Sequence, residues 1–213
     1  MTISPAPGAP RPFDAVLCDV DNVIRFYDST PLGALERAAG LPEGTTAGVA
    51  FSPAMDGPLL LGRITMEQWA DSVAGELAAT APVSGERARE LAGALAGSPF
   101  AADPEVVSVL RAARAAGLTL VLVTNATLDL ERDLEAMGLT DLAHHVVSSA
   151  RVGVVKPDRE IYEIALGRAE AAPHRCLFVD DLRENVEAAE ALGMKGVHYG
   201  GPADLRAALG LPL

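Results

Sequence analysis

Ala15-Val16-Leu17-Cys18-Asp19-Val20-Asp21-Asn22-Val23-Ile24 is the stretch that decides the fold. Its apolar run Ala15 to Cys18 follows a Pro-rich leader and carries no charge, which predicts a short buried strand. A strand buried on both faces belongs to a parallel sheet, and such sheets bind ligands at the carboxyl ends of their strands. Asp19 and Asp21 fall at that end. Strand alternation puts both on one side, and Asn22 suits a turn conformation that most side chains resist. A strand-terminal Asp pair can also be a simple turn and helix cap, so the remaining chain has to separate the two readings.

Working outward, the pattern toward the C-terminus is regular. Asp103-Pro104 opens a helix with a capping residue and Pro at its first position, and Gly117 closes it. Predicted strands then cover Leu118 to Val123, His145 to Val147, Arg175 to Val179 and Gly196 to Tyr199. Helices alternate with them over Leu128 to Met137, Asp158 to about Glu170, Arg183 to Leu192 and Pro202 to Leu209. The alternation predicts an α/β doubly wound parallel sheet. Between Ile24 and Pro99 the character is different. Pro31 to Ala39 has a short helical pattern, Leu41 to Met55 is rich in Gly, Pro and Thr, and no strand stands out. Thr65 is placed as the N-cap of a helix from Met66 to about Thr80, with Gln68 in the capping-box position, and another helix runs from about Ser84 to Ala96. Residues 25–99 therefore read as a helical insertion with hinges near 25 and 99, leaving 13–24 and 100–213 as the α/β core.

Composition narrows the function. The 213 residues are 49% hydrophobic with net charge −12, which supports a sizeable core and disfavours nucleic acid and anionic membrane as partners. No apolar run reaches transmembrane length, and Met1 to Pro12 lacks the features of a signal peptide, so the expectation is a disordered leader (1–12) on a cytoplasmic protein. Cys18 and Cys176 sit in apolar runs without metal-ligand spacing, as buried free thiols do.

Polar residues follow four of the strands: Asp19 and Asp21, then Thr124 and Asn125, then Lys156 before Pro157, then Asp180 and Asp181. Singly, each has a structural alternative, such as helix capping for Thr124-Asn125 and Asp180-Asp181 or a solvated charge for Lys156. Together they gather four carboxylates at one sheet edge against a single lysine. Two carboxylates about 4 Å apart repel by roughly 4 kcal/mol at an effective dielectric near 20. A hard divalent cation relieves that repulsion, and an oxygen-only site suits Mg²⁺. Cation, lysine and hydroxyl would together cradle a phosphoryl group.

This ordered set resembles the haloacid dehalogenase superfamily of hydrolases. Its phosphatase branch has a DxDx(T/V) first motif, a Thr or Ser second motif, a Lys third motif and an acidic fourth motif. Here these match Asp19-Val20-Asp21-Asn22-Val23, Thr124-Asn125, Lys156-Pro157 and Asp180-Asp181, with Asn22 where the family usually has Gly. The insertion is similar to the C1-type cap of that superfamily. Gly62-Arg63-Ile64-Thr65 and the run Phe178 to Val186 resemble the branch that contains the phosphatase domain of soluble epoxide hydrolases and bacterial sugar-phosphate phosphatases.

The resemblance implies a Mg²⁺-dependent phosphomonoesterase acting on a small phosphorylated metabolite such as a sugar phosphate. It implies Asp19 as nucleophile forming an aspartyl-phosphate, and Asp21 as general acid and base. Mg²⁺ would be held by Asp19, the Asp21 backbone carbonyl, Asp181 and, less firmly, Asp180. Lys156, Thr124 and the Asn125 backbone N–H would hold the phosphoryl oxygens. Arg25, Arg63 and Trp69 are candidate cap-side contacts, weighed against a solvated arginine and a core tryptophan. Two alternatives use the same residues differently: a metal-free 2-haloacid dehalogenase with the same Asp nucleophile, and a non-catalytic phospho-ligand binding protein of the same fold. A receiver-type phosphorylation switch has its acidic pair before the acceptor strand, the wrong order for this chain.

Overall fold

The structure is a computed structural model that describes residues 11–210; most of the expected leader lies outside them. Its centre is a five-stranded parallel sheet. β1 (Ala15–Cys18) lies in the middle, flanked by β4 (Thr119–Thr124) and β6 (Cys176–Asp180), with β5 (His145–Ser148) and β7 (Lys195–His198) at the edges. Crossover helices α6 (Pro104–Ala115), α7 (Leu130–Ala136), α9 (Arg159–Ala169) and α10 (Arg183–Ala191) connect the strands, as parallel pairing requires, and α11 (Pro202–Leu209) follows β7.

Strand alternation divides the core into two apolar layers. Val16, Cys18, Leu120, Leu122, Leu177 and Val179 pack with α6, α7 and α11 on one face. Leu17, Val121, Val123, Val147, Cys176 and Phe178 pack with α9 and α10 on the other. β1 is buried along its whole length, consistent with a central strand covered on both sides. Its register with β6 pairs Cys18 with Val179, so the next residues, Asp19 and Asp180, emerge level with each other.

The helical insertion contains α1 (Thr30–Ala38), α2 (Thr45–Ala50), α3 (Pro53–Leu60), α4 (Met66–Thr80) and α5 (Gly85–Ala96). Trp69, Val73 and Leu77 of α4 join Leu91 of α5 and Leu59 of α3 in a separate apolar cluster. Thr65 and Gln68 form the expected capping box at the start of α4, and Asp103 accepts two backbone N–H bonds at the start of α6.

The stretch Leu41 to Met55, rich in Gly, Pro and Thr, holds α2 and the start of α3. One part of the sequence reading needs correction. A strand does occur at the start of the insertion: β2 (Arg25–Tyr27) pairs antiparallel with β3 (Phe100–Ala102). The hinge regions are thus the two strands of one ribbon. Three residues carry too little alternation to announce a strand, and the pairing partner lies more than seventy residues away.

Asp56 on α3 is half-buried with no cation beside it, and burial pushes its carboxyl up to about 6. A carboxyl raised in the folded state holds its proton more tightly there than in the unfolded chain. Its effect on stability is therefore absent below the ordinary carboxylate range and becomes destabilising as pH climbs toward 6. Asp56→Asn is expected to be more stable than wild type at pH 7 by at most about 1 kcal/mol, screening by solvent considered. That gain should disappear near pH 4. Paired urea melts at the two pH values would refute this by showing a pH-independent difference.

Candidate active site

The carboxyl end of the sheet brings Asp19, Lys156 and Asp180 into contact. Lys156 is almost fully buried, and its Nζ lies 2.8 Å from Asp19 Oδ1 and 2.6 Å from Asp180 Oδ2. Burial alone would depress its pKa, but the carboxylates of Asp19 and Asp180 override that effect and the net shift is upward. Lys156 is therefore a permanent cation, not a solvated surface charge. Burial pushes the Asp19 carboxyl upward and Lys156 opposes the shift, while Asp180 adds to it.

Each of these side chains is held by its surroundings. Asp19 Oδ1 also accepts the Val20 backbone N–H at 2.7 Å, so both contacts fall on one oxygen. Asp180 Oδ1 accepts from the Leu182 N–H and from Asn185 Nδ2, each at 2.9 Å. The backbone around Lys156 is fixed by Asn125, whose Oδ1 accepts the Lys156 N–H at 2.7 Å while its Nδ2 donates to the Lys156 carbonyl at 2.9 Å. Asn125 thus spends its side chain positioning the lysine loop. Thr124 ends β4 fully buried, and its hydroxyl has no hydrogen-bond partner among the described residues. A buried hydroxyl left unsatisfied costs about 1–3 kcal/mol, which a bound oxyanion would offset.

Asp181 is half-exposed, and its Oδ2 accepts from Asn22 Nδ2 at 3.1 Å. Asn22 has φ 59°, the left-handed conformation expected from its place in the turn. Asp19, Asp180 and Asp181 each offer a carboxylate oxygen within 4.8 Å of the others. The set is all oxygen, and with a buried hydroxyl one strand away it fits a hard divalent cation.

Asp21 departs from the expectation that alternation places it with Asp19. The chain has left β1 by Cys18 and turned, with Asn22 N–H donating to the Arg25 carbonyl and Arg25 N–H to the Val20 carbonyl. Asp21 faces Arg25, not the acidic trio. Arg25 is neither a cap-side contact nor a solvated arginine: it is 3% exposed and pairs with Asp21 and with Asp133 of α7. The edge therefore carries two buried cations, and the reading of four carboxylates against one lysine was short by one. The i, i+4 spacing of Asp21 and Arg25 is a pairing signal only on a helix, and here the two residues bracket a turn, so nothing in the sequence marks that pair, nor Asp133 or Asn185. Trp69 belongs to the apolar cluster of the insertion, and Arg63 is exposed.

The insertion also touches the core beside this edge, at α8 (Ser149–Val152). Ser149 Oγ donates to the Leu60 carbonyl at 2.7 Å. Gly62, at φ 65°, lies so close that a Cβ would stand 2.5 Å from the Ala150 carbonyl oxygen. Only glycine suits both the conformation and that approach.

A parallel sheet with an aspartate after its first strand, a threonine after the next, a loop lysine and an acidic pair defines a class of hydrolase. Residues 13–193 match the model of the haloacid dehalogenase-like hydrolase family, and the chain belongs to that family. It is 36% identical to the sesquiterpene phosphatase astK of Aspergillus oryzae over 97 residues, 45% of this chain and 50% of that protein. It is 29% identical to the rat bifunctional epoxide hydrolase 2 over 190 residues, 83% of this chain and 34% of that protein. A Pseudomonas (S)-2-haloacid dehalogenase is 30% identical over 99 residues, 46% of this chain and 44% of that one. The chain thus spans half or less of the length of these relatives. A haloacid dehalogenase family enzyme of Bacteroides thetaiotaomicron, crystallised with magnesium and inorganic phosphate, has the same fold, with TM-score 0.65, 16% identity and coverage of 86% of this chain and 92% of that one. Among the described residues, no helix is long and apolar enough to cross a membrane.

Proposed function

We propose that the chain is a Mg²⁺-dependent phosphomonoesterase that transfers the phosphoryl group of a small phosphorylated metabolite to Asp19 and then to water. The observation that carries this reading is the trio Asp19, Asp180 and Asp181, close enough to share one divalent cation. Displacement of halide from carbon needs no such ion, and without one the trio is a costly concentration of charge.

In this reading Asp19 attacks phosphorus with Oδ2, the oxygen left free by Val20 and Lys156. Asp21 gives a proton to the departing alcohol oxygen and later takes one from the attacking water. Lys156 and the Thr124 hydroxyl hold phosphoryl oxygens as charge redistributes, and Asn125 keeps the lysine loop in place. Asp19, the Asp21 carbonyl, Asp181 and, less firmly, Asp180 would hold Mg²⁺, and the bound ion would supply charge neutralisation at the phosphoryl group. Residues 25–99 act as a cover that excludes water and contacts the leaving group. A cytoplasmic setting and the lack of a nucleic-acid partner belong to the same proposal, since net charge −12 repels a phosphate backbone.

The test is phosphate release from p-nitrophenyl phosphate and a sugar-phosphate panel, with Mg²⁺ and with EDTA. Turnover that EDTA abolishes and Mg²⁺ restores is the expected result. Halide release from 2-haloacids in EDTA, with no phosphate released from any ester, would overturn it in favour of a dehalogenase.

A further inference from the structure

We infer that Arg25 and Asp133 are positioning residues for Asp21, setting the orientation from which it serves the leaving group. The inference rests on the phosphomonoesterase reading, and it starts from how completely Arg25 is occupied. Its Nε lies 2.6 Å from Asp21 Oδ1 and its Nη2 3.0 Å from Asp21 Oδ2, a fork that fixes the plane of the carboxylate. Its Nη1 lies 2.7 Å from Asp133 Oδ2. The Tyr27 and Phe100 rings flank the guanidinium, with centroids 5.0 and 5.4 Å away.

The backbone repeats the constraint. Arg25 closes the turn that carries Asp21: its N–H donates to the Val20 carbonyl and its own carbonyl accepts the Asn22 N–H, so the main chain holds the residues on either side of Asp21 while the side chain holds Asp21 itself. A carboxylate immobilised in this way has its orientation fixed before substrate arrives, and orientation is a large part of what a proton-transferring group contributes. When one Asp21 oxygen turns to the leaving oxygen, Arg25 loses part of its fork. Asp133 then keeps a buried guanidinium from standing without a full counter-ion. Lysine in place of Arg25 would retain the charge but not the two-point contact.

Leaving-group dependence isolates this role. p-Nitrophenolate departs without a proton, whereas an alkyl alkoxide such as that of 2-glycerophosphate needs one. The first half-reaction is followed by rapid quench under single-turnover conditions with both esters. For Arg25→Gln, alcohol release from the alkyl ester is expected to fall about 100-fold and nitrophenolate release less than about 5-fold, with little change in KM. Arg25→Lys should fall between wild type and Arg25→Gln. Asp133→Asn, a near-isosteric change at a partly exposed side chain, should show the same asymmetry at smaller size, and it guards against a failure of the buried Arg25 variants to fold. Equal losses on the two esters, or none on either, would overturn the inference. If wild type turns over neither these two esters nor any member of the sugar-phosphate panel, the phosphomonoesterase reading itself falls and the inference with it. If wild type turns over both and the asymmetry is missing, only the positioning role is lost.

Discussion

Asp19→Asn is expected to abolish phosphate release, with a loss of at least about 10³-fold on every ester the wild type accepts. The amide keeps the size and the carbonyl oxygen that accepts the Val20 N–H, but it is a poor nucleophile toward phosphorus. Stability should barely move. Burial works against the charge of Asp19 and Lys156 favours it, so a neutral isostere removes a penalty and a pairing together. Lys156 retains Asp180 as its counter-ion at 2.6 Å. The check is kcat for the purified variant beside its thermal melt. A variant that melts like wild type and retains more than about 1% of its activity would exclude Asp19 as nucleophile.

Lys156→Met should have the largest effect on folding. It leaves Asp19 and Asp180 facing each other in a site that excludes water, and removing one partner of a buried charge cluster costs about 3–5 kcal/mol. For a chain of this length that corresponds to a fall in Tm of about 10 °C. Asp180 keeps two hydrogen bonds from Leu182 and Asn185, so the repulsion should act mainly on Asp19. The site loses the fixed positive charge that contacts both carboxylates, and turnover should fall with it. A divalent cation can replace part of that charge. Added Mg²⁺ is therefore expected to raise the Tm of Lys156→Met more than that of wild type, since an ion that binds only the folded state stabilises it by mass action. Equal Mg²⁺ responses in both proteins would argue that the carboxylates are not a shared cation site. Lys156→Arg is not expected to restore activity, because a planar guanidinium does not fit where a compact ammonium is enclosed between two oxygens.

The parts of the fold that were legible in the sequence depend on neighbours in sequence. The Thr65-Gln68 box, the Asp103-Pro104 start and the apolar runs of β1, β4 and β6 declare themselves within a few residues, and the structure contains each. What was not legible depends on distant partners. β2 exists because Phe100–Ala102 pairs with it, and α2 and α3 are helical because the insertion closes around Ala50, Leu59 and Trp69. The candidate site divides the same way. Its carboxylates, threonine and lysine could be picked out by where they fall after strands. Their pairing could not. Asn125 reads as a donor to substrate through its backbone N–H, and nothing in the sequence announces that its side chain holds the Lys156 backbone. Arg25 reads as a surface cation and proves to be the partner of Asp21.

The ribbon of β2 and β3 has a consequence for how such a chain can diversify. Because the two strands pair side by side, the chain leaves the α/β unit and returns to it at adjacent points, and no strand of the five-stranded sheet comes from the intervening residues. The helices between them behave as a graft on a two-stranded stem, attached elsewhere by the narrow seam of Leu60 and Gly62 against Ser149 and Ala150. A graft of another length or shape, with its ends one ribbon apart, would leave the register of Asp19 with Asp180 untouched. In the phosphomonoesterase reading, what the chain acts on can then change with the graft, while the charges assigned to the chemistry stay where β1 and β6 put them.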